Sequence, residues 1–168
     1  MSKIVIFTDG SSRNNPGPGG WGAIVVEIGD DGKAHITELG GGEKHTTNNK
    51  MELMAAIGGI CGAPGSGDIT VLSDSSYVIK GITDWIHGWK RNDWRTSAKK
   101  AVLNKDLWMK LDECTAGKAI RWKQVAGHAG VAGNERCDQI ATGFADDEDV
   151  KLYEGPIGDY HLKDILKI

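Results

Sequence analysis

Cysteine is scarce in this chain: there are three in 168 residues, Cys61, Cys114 and Cys137, far apart and never in CxxC spacing. An odd and scattered set suggests neither a disulfide framework nor a zinc site, so reduced thiols are the expectation. Long apolar runs are also missing. The opening MSKIVIFTDG has only four consecutive apolar residues before its first acid, too few for a signal-peptide core, and no later run approaches a membrane span. Together these absences lead us to expect a soluble, cytoplasmic protein with no membrane partner. Net charge is small, at −3, which by itself argues against a nucleic-acid partner. Its distribution argues otherwise, because residues 88–105 carry six bases against one acid and leave the remainder of the chain at −8. A local basic stretch suits a binding handle.

What is present is enough apolar residue, 39%, to bury a sizeable core at this length. Residues 3–8 form a short apolar run ending in Asp-Gly. A Gly/Pro/Asn-rich loop follows, then further runs at 21–28 and 35–39, which together read as an antiparallel meander. The pattern then turns helical over 49–60, where Leu53, Ile57 and Ile60 share a face, until Gly58-Gly59 and CGAPGSGD interrupt it. A compact strand at 69–73 precedes a helix over 75–89 with a break at Gly81. Another helix opens at Asn104, a fifth strand covers 120–125, and a last helix starts near Asn134 with Cys137, Ile140, Ala141 and Phe144 as its buried stripe. The order is βββαβαβα, with the helical stretch between the fourth and fifth strands in two pieces.

Four acids stand beside turns or helix starts: Asp9 in IFTDGSS, Glu52 in TTNNKMELMAAI, Asp74 in ITVLSDSSYV and Asp138 in GNERCDQIA. Asp9 and Asp74 end strands, while Glu52 and Asp138 sit in early helix turns, and such ends can converge on one edge of a central sheet. Carboxylates gathered without compensation repel one another, so a cluster of four usually exists because divalent cations neutralise it. Two Mg²⁺ ions about 3.5–4 Å apart could clamp a phosphodiester from both sides without a protein nucleophile. Each acid also has a local explanation. Asp9-Gly10 is an ordinary turn dipeptide, Glu52 lies at capping-box spacing from Asn49, Asp74 can cap the helix it precedes, and Asp138 can complement a helix N-terminus.

The segments FTDGS with NPGPGGWGA, TTNNKMELMAAI, DSSYVIKGITDWIHGWK and GHAGVAGNERCDQIA, in that order, make residues 3–145 resemble a type 1 ribonuclease H of the compact bacterial kind. The resemblance implies an RNase H-like α/β fold. Its five-stranded mixed sheet would have three antiparallel strands, then two parallel, with helices on both faces. Residues 1–146 would be the catalytic domain and 147–168 an extension outside the resemblance, whose apolar residues Ile157, Tyr160, Leu162, Ile165, Leu166 and Ile168 suit docking on the core or dimer contacts, with docking the expectation. The implied activity is endonucleolytic hydrolysis of the RNA strand of RNA/DNA hybrids, leaving 3′-hydroxyl and 5′-phosphate ends, in primer and R-loop removal by a monomer. Asp9, Glu52, Asp74 and Asp138 fall on the family's metal-binding carboxylates, with Mn²⁺ able to replace Mg²⁺. His128 falls on its loop histidine, where an imidazole can move a proton.

Substrate contacts follow by the same resemblance. Asn15, Thr47, Asn48 and Asn49 fall on hybrid-contacting positions, beside Gly10, Ser11 and Ser76 at the carboxylate site; amides and hydroxyls can meet groove acceptors and 2′-OH groups without demanding a base sequence. Trp85, Trp89 and Trp94, interleaved with Lys90, Arg91, Lys99 and Lys100, resemble the basic protrusion that grips the DNA strand. Turn formation, helix capping and buried tryptophans are the plainer roles of the same residues. Ser76 stands where many members have glutamine and Ala126 where a lysine is common, which predicts weaker hybrid affinity with the chemistry intact. A non-catalytic hybrid-binding module and a DNA-cutting integrase or resolvase relative are the competing functions. The full set of acids weighs against the first, and the basic tryptophan insertion with TTNN against the second.

Overall fold

In the computed structural model, which describes residues 2–64, 67–127 and 130–168, β1 (Lys3–Ser12), β2 (Gly17–Ile28) and β3 (Ala34–Thr46) form the meander. Then come α1 (Asn48–Cys61), β4 (Asp68–Ser73), α2 (Ser76–Lys80), a π turn at Gly81–Trp85, α3 (Ile86–Arg91), α4 (Lys105–Thr115), β5 (Ile120–Gln124) and α5 (Ala132–Ala145). A short β6 (Glu154–Pro156) and a 3₁₀ turn at Ile157–Asp159 follow. The sheet runs β5-β4-β1-β2-β3-β6, antiparallel from β1 to β3 and parallel between β1, β4 and β5. Among the described residues it therefore has six strands, not five, because β6 adds antiparallel to the free edge of β3.

The apolar run of β1 explains the layering. Successive strand side chains point to opposite faces, so a continuous run needs cover on both sides. Ile4 and Ile6 join Leu53, Ile60, Val71, Trp108 and Leu111 under α1 and α4. Val5 and Phe7 join Ile24, Ile36, Leu72, Cys137, Tyr160 and Ile165 under α5 and the C-terminal segment.

Several glycines expected to break elements lie inside them. Helix α1 runs through Gly58 and Gly59 because these positions meet the sheet. A Cβ on Gly58 would fall 2.5 Å from the Trp21 ring, and one on Gly59 would fall 2.7 Å from Ile6 Cγ2. The helix is therefore not interrupted there, and the flank is tightly apposed to the sheet. Likewise β3 continues past Leu39 through Gly40–Gly42, which pair with Gly20–Gly22 of β2 beneath α5. The thiol expectation also changes. Cys61, the last residue of α1, and Cys114 of α4 form a disulfide with a Cα separation of 5.3 Å, while Cys137 is free and buried. Helix α1 packs on α4, and that long-range contact brings together cysteines 53 residues apart.

Candidate active site

The site lies where β1 and β4 part. Their parallel register ends at Phe7↔Leu72, and two residues later β1 presents Asp9, while Asp74 follows the last residue of β4. Such a divergence at the carboxyl end of parallel strands opens a crevice. Asp9 lies within β1, paired with Gly22, rather than at its end.

Glu52 comes from the second turn of α1 and is 8% exposed. The cap of that helix is Thr47, whose hydroxyl accepts from Lys50 N–H at 3.2 Å, so Glu52 is outside any capping box and free to face the sheet. The close approach depends on Gly10. A Cβ there would fall 2.3 Å from Glu52 N and from Met51 C, and the Gly10 N–H donates both to Asp9 Oδ1, at 3.0 Å, and to Glu52 Oε1. Asp74 is likewise freed from capping, because Ser75 caps α2 by accepting from Val78 N–H. The outcome is a trio, Asp9, Glu52 and Asp74, each of which offers one carboxylate oxygen within 4.8 Å of the other two.

Asp138 sits in the second turn of α5, which starts at Ala132. It lines a cleft of about 270 Å³ with Asp9, Asp74, Asn134 and Ala126. Helix α5 can lie this close because glycines face it: a Cβ on Gly22 would fall 2.7 Å from Cys137 O. One residue had been read only as a helix start. The Asn134 amide donates from Nδ2 to Thr8 O and Leu72 O, both at 3.3 Å, so it ties α5 to the parting point of the two strands that carry Asp9 and Asp74. Its Oδ1 is buried without a partner among the described residues. Asn134 stands in the first turn of α5, where asparagine is an ordinary helix-start residue, so nothing local signals that bridge.

Electrostatics follow from crowding. Burial raises the Asp9 carboxyl to about 7; repulsion from Asp74 and Asp138 adds to it, and hydrogen bonds from Glu52 and Gly10 N–H oppose it. Glu52 is raised well above the usual carboxylate range, first by burial and then by the neighbouring Asp9 charge. At neutral pH and without a cation the pair retains a proton, with Glu52 donating to Asp9. A set of carboxylate oxygens that must hold a proton when left alone is a fitting donor set for a hard divalent cation, and it offers no sulfur or imidazole for a softer one.

The expected substrate residues ring this cleft only in part. A neighbouring recess of about 320 Å³ is lined by Asp9, Gly10, Asn48, Asn49, Asp74 and Ser76, with Ser11 on the rim of the main cleft. Asn15 and Asn48 have structural partners: Asn15 Oδ1 accepts from Asn48 N–H at 3.0 Å, and Asn48 Oδ1 accepts from Ser12 N–H at 2.8 Å. The tryptophans divide by environment. Trp108 is fully buried, Trp89 and Trp94 pack against the core, and Trp85 is 38% exposed; the rings touch in a series from Trp85 to Trp89, and from Trp89 to both Trp94 and Trp108. Lys90 pairs with Asp112 at 3.1 Å, and Arg91, Lys99 and Lys100 are exposed. His128 lies outside the described residues.

Similarity to known proteins places the chain in a family. The RNase H family model matches residues 1–145. A protein named Ribonuclease H from Roseobacter denitrificans is 50% identical over 141 residues, 84% of this chain and 94% of that protein. Another of that name from Bradyrhizobium sp. is 54% identical over 138 residues, 82% and 86% of the two chains. Among solved structures, LC9-RNase H1, described as a type 1 RNase H with the type 2 active-site motif, superposes with a TM-score of 0.79 at 28% identity, covering 92% of this chain and 78% of that one. LC11-RNase H1, solved in complex with RNA/DNA hybrid, shares the fold with a TM-score of 0.61 at 20% identity, over 86% and 97% of the two chains.

Proposed function

Because the chain belongs to the RNase H family, type 1, and is a nuclease, we propose that it hydrolyses the RNA strand of RNA/DNA hybrids endonucleolytically, leaving 3′-hydroxyl and 5′-phosphate ends. The observation that carries the proposal is the convergence of Asp9, Glu52 and Asp74, each with a carboxylate oxygen within 4.8 Å of the others, beside a cleft that Asp9, Asp74 and Asp138 line. These four would hold two Mg²⁺ ions, with Mn²⁺ as a substitute; bound there, the ions supply an activated water and neutralise charge on the leaving oxygen. The chain's own part is distinct. Glu52 and Asp9 would give up the proton they share in a cation-bound site, and Gly10 N–H keeps both carboxylates oriented. Asn134 holds the two strands and α5 at a fixed spacing.

Recognition would be divided between the two flanks. Asn48 and Asn49 would read the minor groove beside the carboxylates, Asn15 and Ser76 would contact the hybrid there, and Thr47 would help hold a DNA phosphate. Trp85, Trp89 and Trp94, with Lys90, Arg91, Lys99 and Lys100, would hold the DNA backbone, giving salt-sensitive affinity. The solved hybrid complex of LC11-RNase H1 on the same fold supports this substrate class. His128 would assist proton movement or product release without being indispensable. We place the chain as a cytoplasmic monomer that clears RNA from replication primers and R-loops. No helix among the described residues is long and apolar enough to cross a membrane.

The test is a substrate panel with mapped product ends. End-labelled RNA/DNA hybrid, RNA duplex and DNA duplex are incubated in Mg²⁺, and cutting of the hybrid RNA alone, with 5′-phosphate ends, is expected. Hybrid binding without cleavage in either Mg²⁺ or Mn²⁺ would make this a binding module and refute the proposal.

A further inference from the structure

The family match ends at residue 145, yet the chain that follows contributes to a buried polar centre beside the cleft helix. Its focus is Glu38 of β3, whose side chain is fully buried. The carboxylate accepts four hydrogen bonds. Two come from α5, Arg136 Nε to Oε2 at 2.7 Å and Nη2 to Oε1 at 3.0 Å. The other two come from the C-terminal segment, Tyr153 N–H to Oε1 at 2.9 Å and Tyr160 O–H to Oε2 at 2.6 Å. Arg136 also donates to Lys151 O at 3.0 Å, and Glu38 N–H donates to Tyr153 O at 2.8 Å. Burial alone would push the Glu38 carboxyl up, but the bonds from Arg136, Tyr160 and Tyr153 outweigh it and hold it below the usual range. The centre is fully satisfied, and half of its donors to Glu38 belong to a segment outside the family match.

Apolar packing repeats the connection. Tyr160 and Ile165 are buried in the same cluster as Cys137 and Phe7. Cys137 precedes Asp138 and its thiol donates to Phe7 O at 3.3 Å, two residues before Asp9. A buried ion pair whose partners are each held by further bonds has two costly ways to break and one geometry to keep.

We infer that the segment after α5 is a brace for the cleft: Tyr153 and Tyr160 clamp Glu38, Glu38 clamps Arg136, and Arg136 fixes the turn of α5 from which Asp138 projects. Tyr160, Glu38 and Arg136 are thus positioning residues, acting through α5 and touching no substrate. The inference rests on the nuclease proposal only in assigning Asp138 to the working site.

The test uses the full chain, metal-free, as wild type, Tyr160→Phe and Glu38→Gln. Tyr160→Phe keeps the ring and deletes one bond, so it folds where Glu38→Gln, which strands Arg136, need not. Amide hydrogen exchange over residues 133–139 should rise about fivefold in Tyr160→Phe, the scale of one lost hydrogen bond, with α1 unchanged. Calorimetric affinity for Mg²⁺, without nucleic acid, should weaken, and kcat should fall while KM for hybrid holds. Wild-type exchange in α5 with wild-type Mg²⁺ affinity would overturn the inference, and so would an equal rise of exchange in α1 and α5, the mark of general destabilisation. A wild type that cuts no hybrid removes the nuclease proposal while leaving the exchange comparison intact.

Discussion

Replacing Asp9 with asparagine should destroy the working site and strengthen the fold. The carboxyl is raised from 3.8 to about 7 by burial and by the Asp74 and Asp138 charges. For an acid raised on folding the sign is definite: its contribution to stability is complete below the unfolded value near 4 and is lost as pH rises through 7. At pH 8 without a divalent cation, the ionised site therefore costs up to about 4 kcal/mol relative to the unfolded chain. Asparagine keeps the shape, removes one charge and relieves Glu52, whose own rise comes from burial first and Asp9 repulsion second. We expect a gain of about 2 kcal/mol in EDTA at pH 8, since Glu52 remains and shares the strain. Urea denaturation from pH 5.5 to 8 measures it. Wild type should lose stability across that window, and the variant should lose less, so that the gap closes toward the acid end. Saturating Mg²⁺ should narrow the gap at pH 8 by stabilising wild type alone. A variant no more stable than wild type in EDTA at pH 8, or a gap that ignores pH, would refute the reasoning.

The same proton links metal to pH: Mg²⁺ affinity measured by calorimetry should fall as pH drops below about 7, with proton release seen as a buffer-dependent enthalpy. Gly10→Ala puts a methyl against the backbone of Met51 and Glu52; it should cost about 3 kcal/mol or more by denaturation and abolish cleavage. Thiol titration of the denatured, unreduced chain should count one thiol, Cys137, and Cys61→Ser should lose about 4 kcal/mol of stability for a loop of 53 residues; three thiols in the unreduced chain would contradict the crosslink.

How far the chain could be read depended on whether the physics was local. The meander and the buried strand 69–73 announced themselves by apolar runs, the half-exposed edge strand 120–125 by the alternation of Ile120 and Trp122 with Arg121 and Lys123, and the four acids by the short strings around them. That Asp9, Glu52 and Asp74 come within 4.8 Å was not legible, because it rests on β1 pairing with β4 across more than sixty residues and on α1 lying against Gly10. Glycine misled twice, in α1 and in β3, since the residue that breaks a helix or strand is also the one that admits close backbone approach. Cysteine spacing could not foretell the Cys61–Cys114 pair, which α1–α4 packing creates. Strand β6 was hidden because Glu-Gly-Pro has no strand propensity, and nothing local marked Glu38, which bonds Tyr153 just before that strand, as a buried acid.

The central claim is that these carboxylates make a metal-dependent nuclease for hybrids. Cleavage of an end-labelled RNA/DNA hybrid should be followed for wild type and Asp9→Asn, each with Mg²⁺ and with EDTA. We predict that only wild type with Mg²⁺ cuts, and only the RNA strand. Cutting that survives EDTA, or that Asp9→Asn retains, would contradict the account.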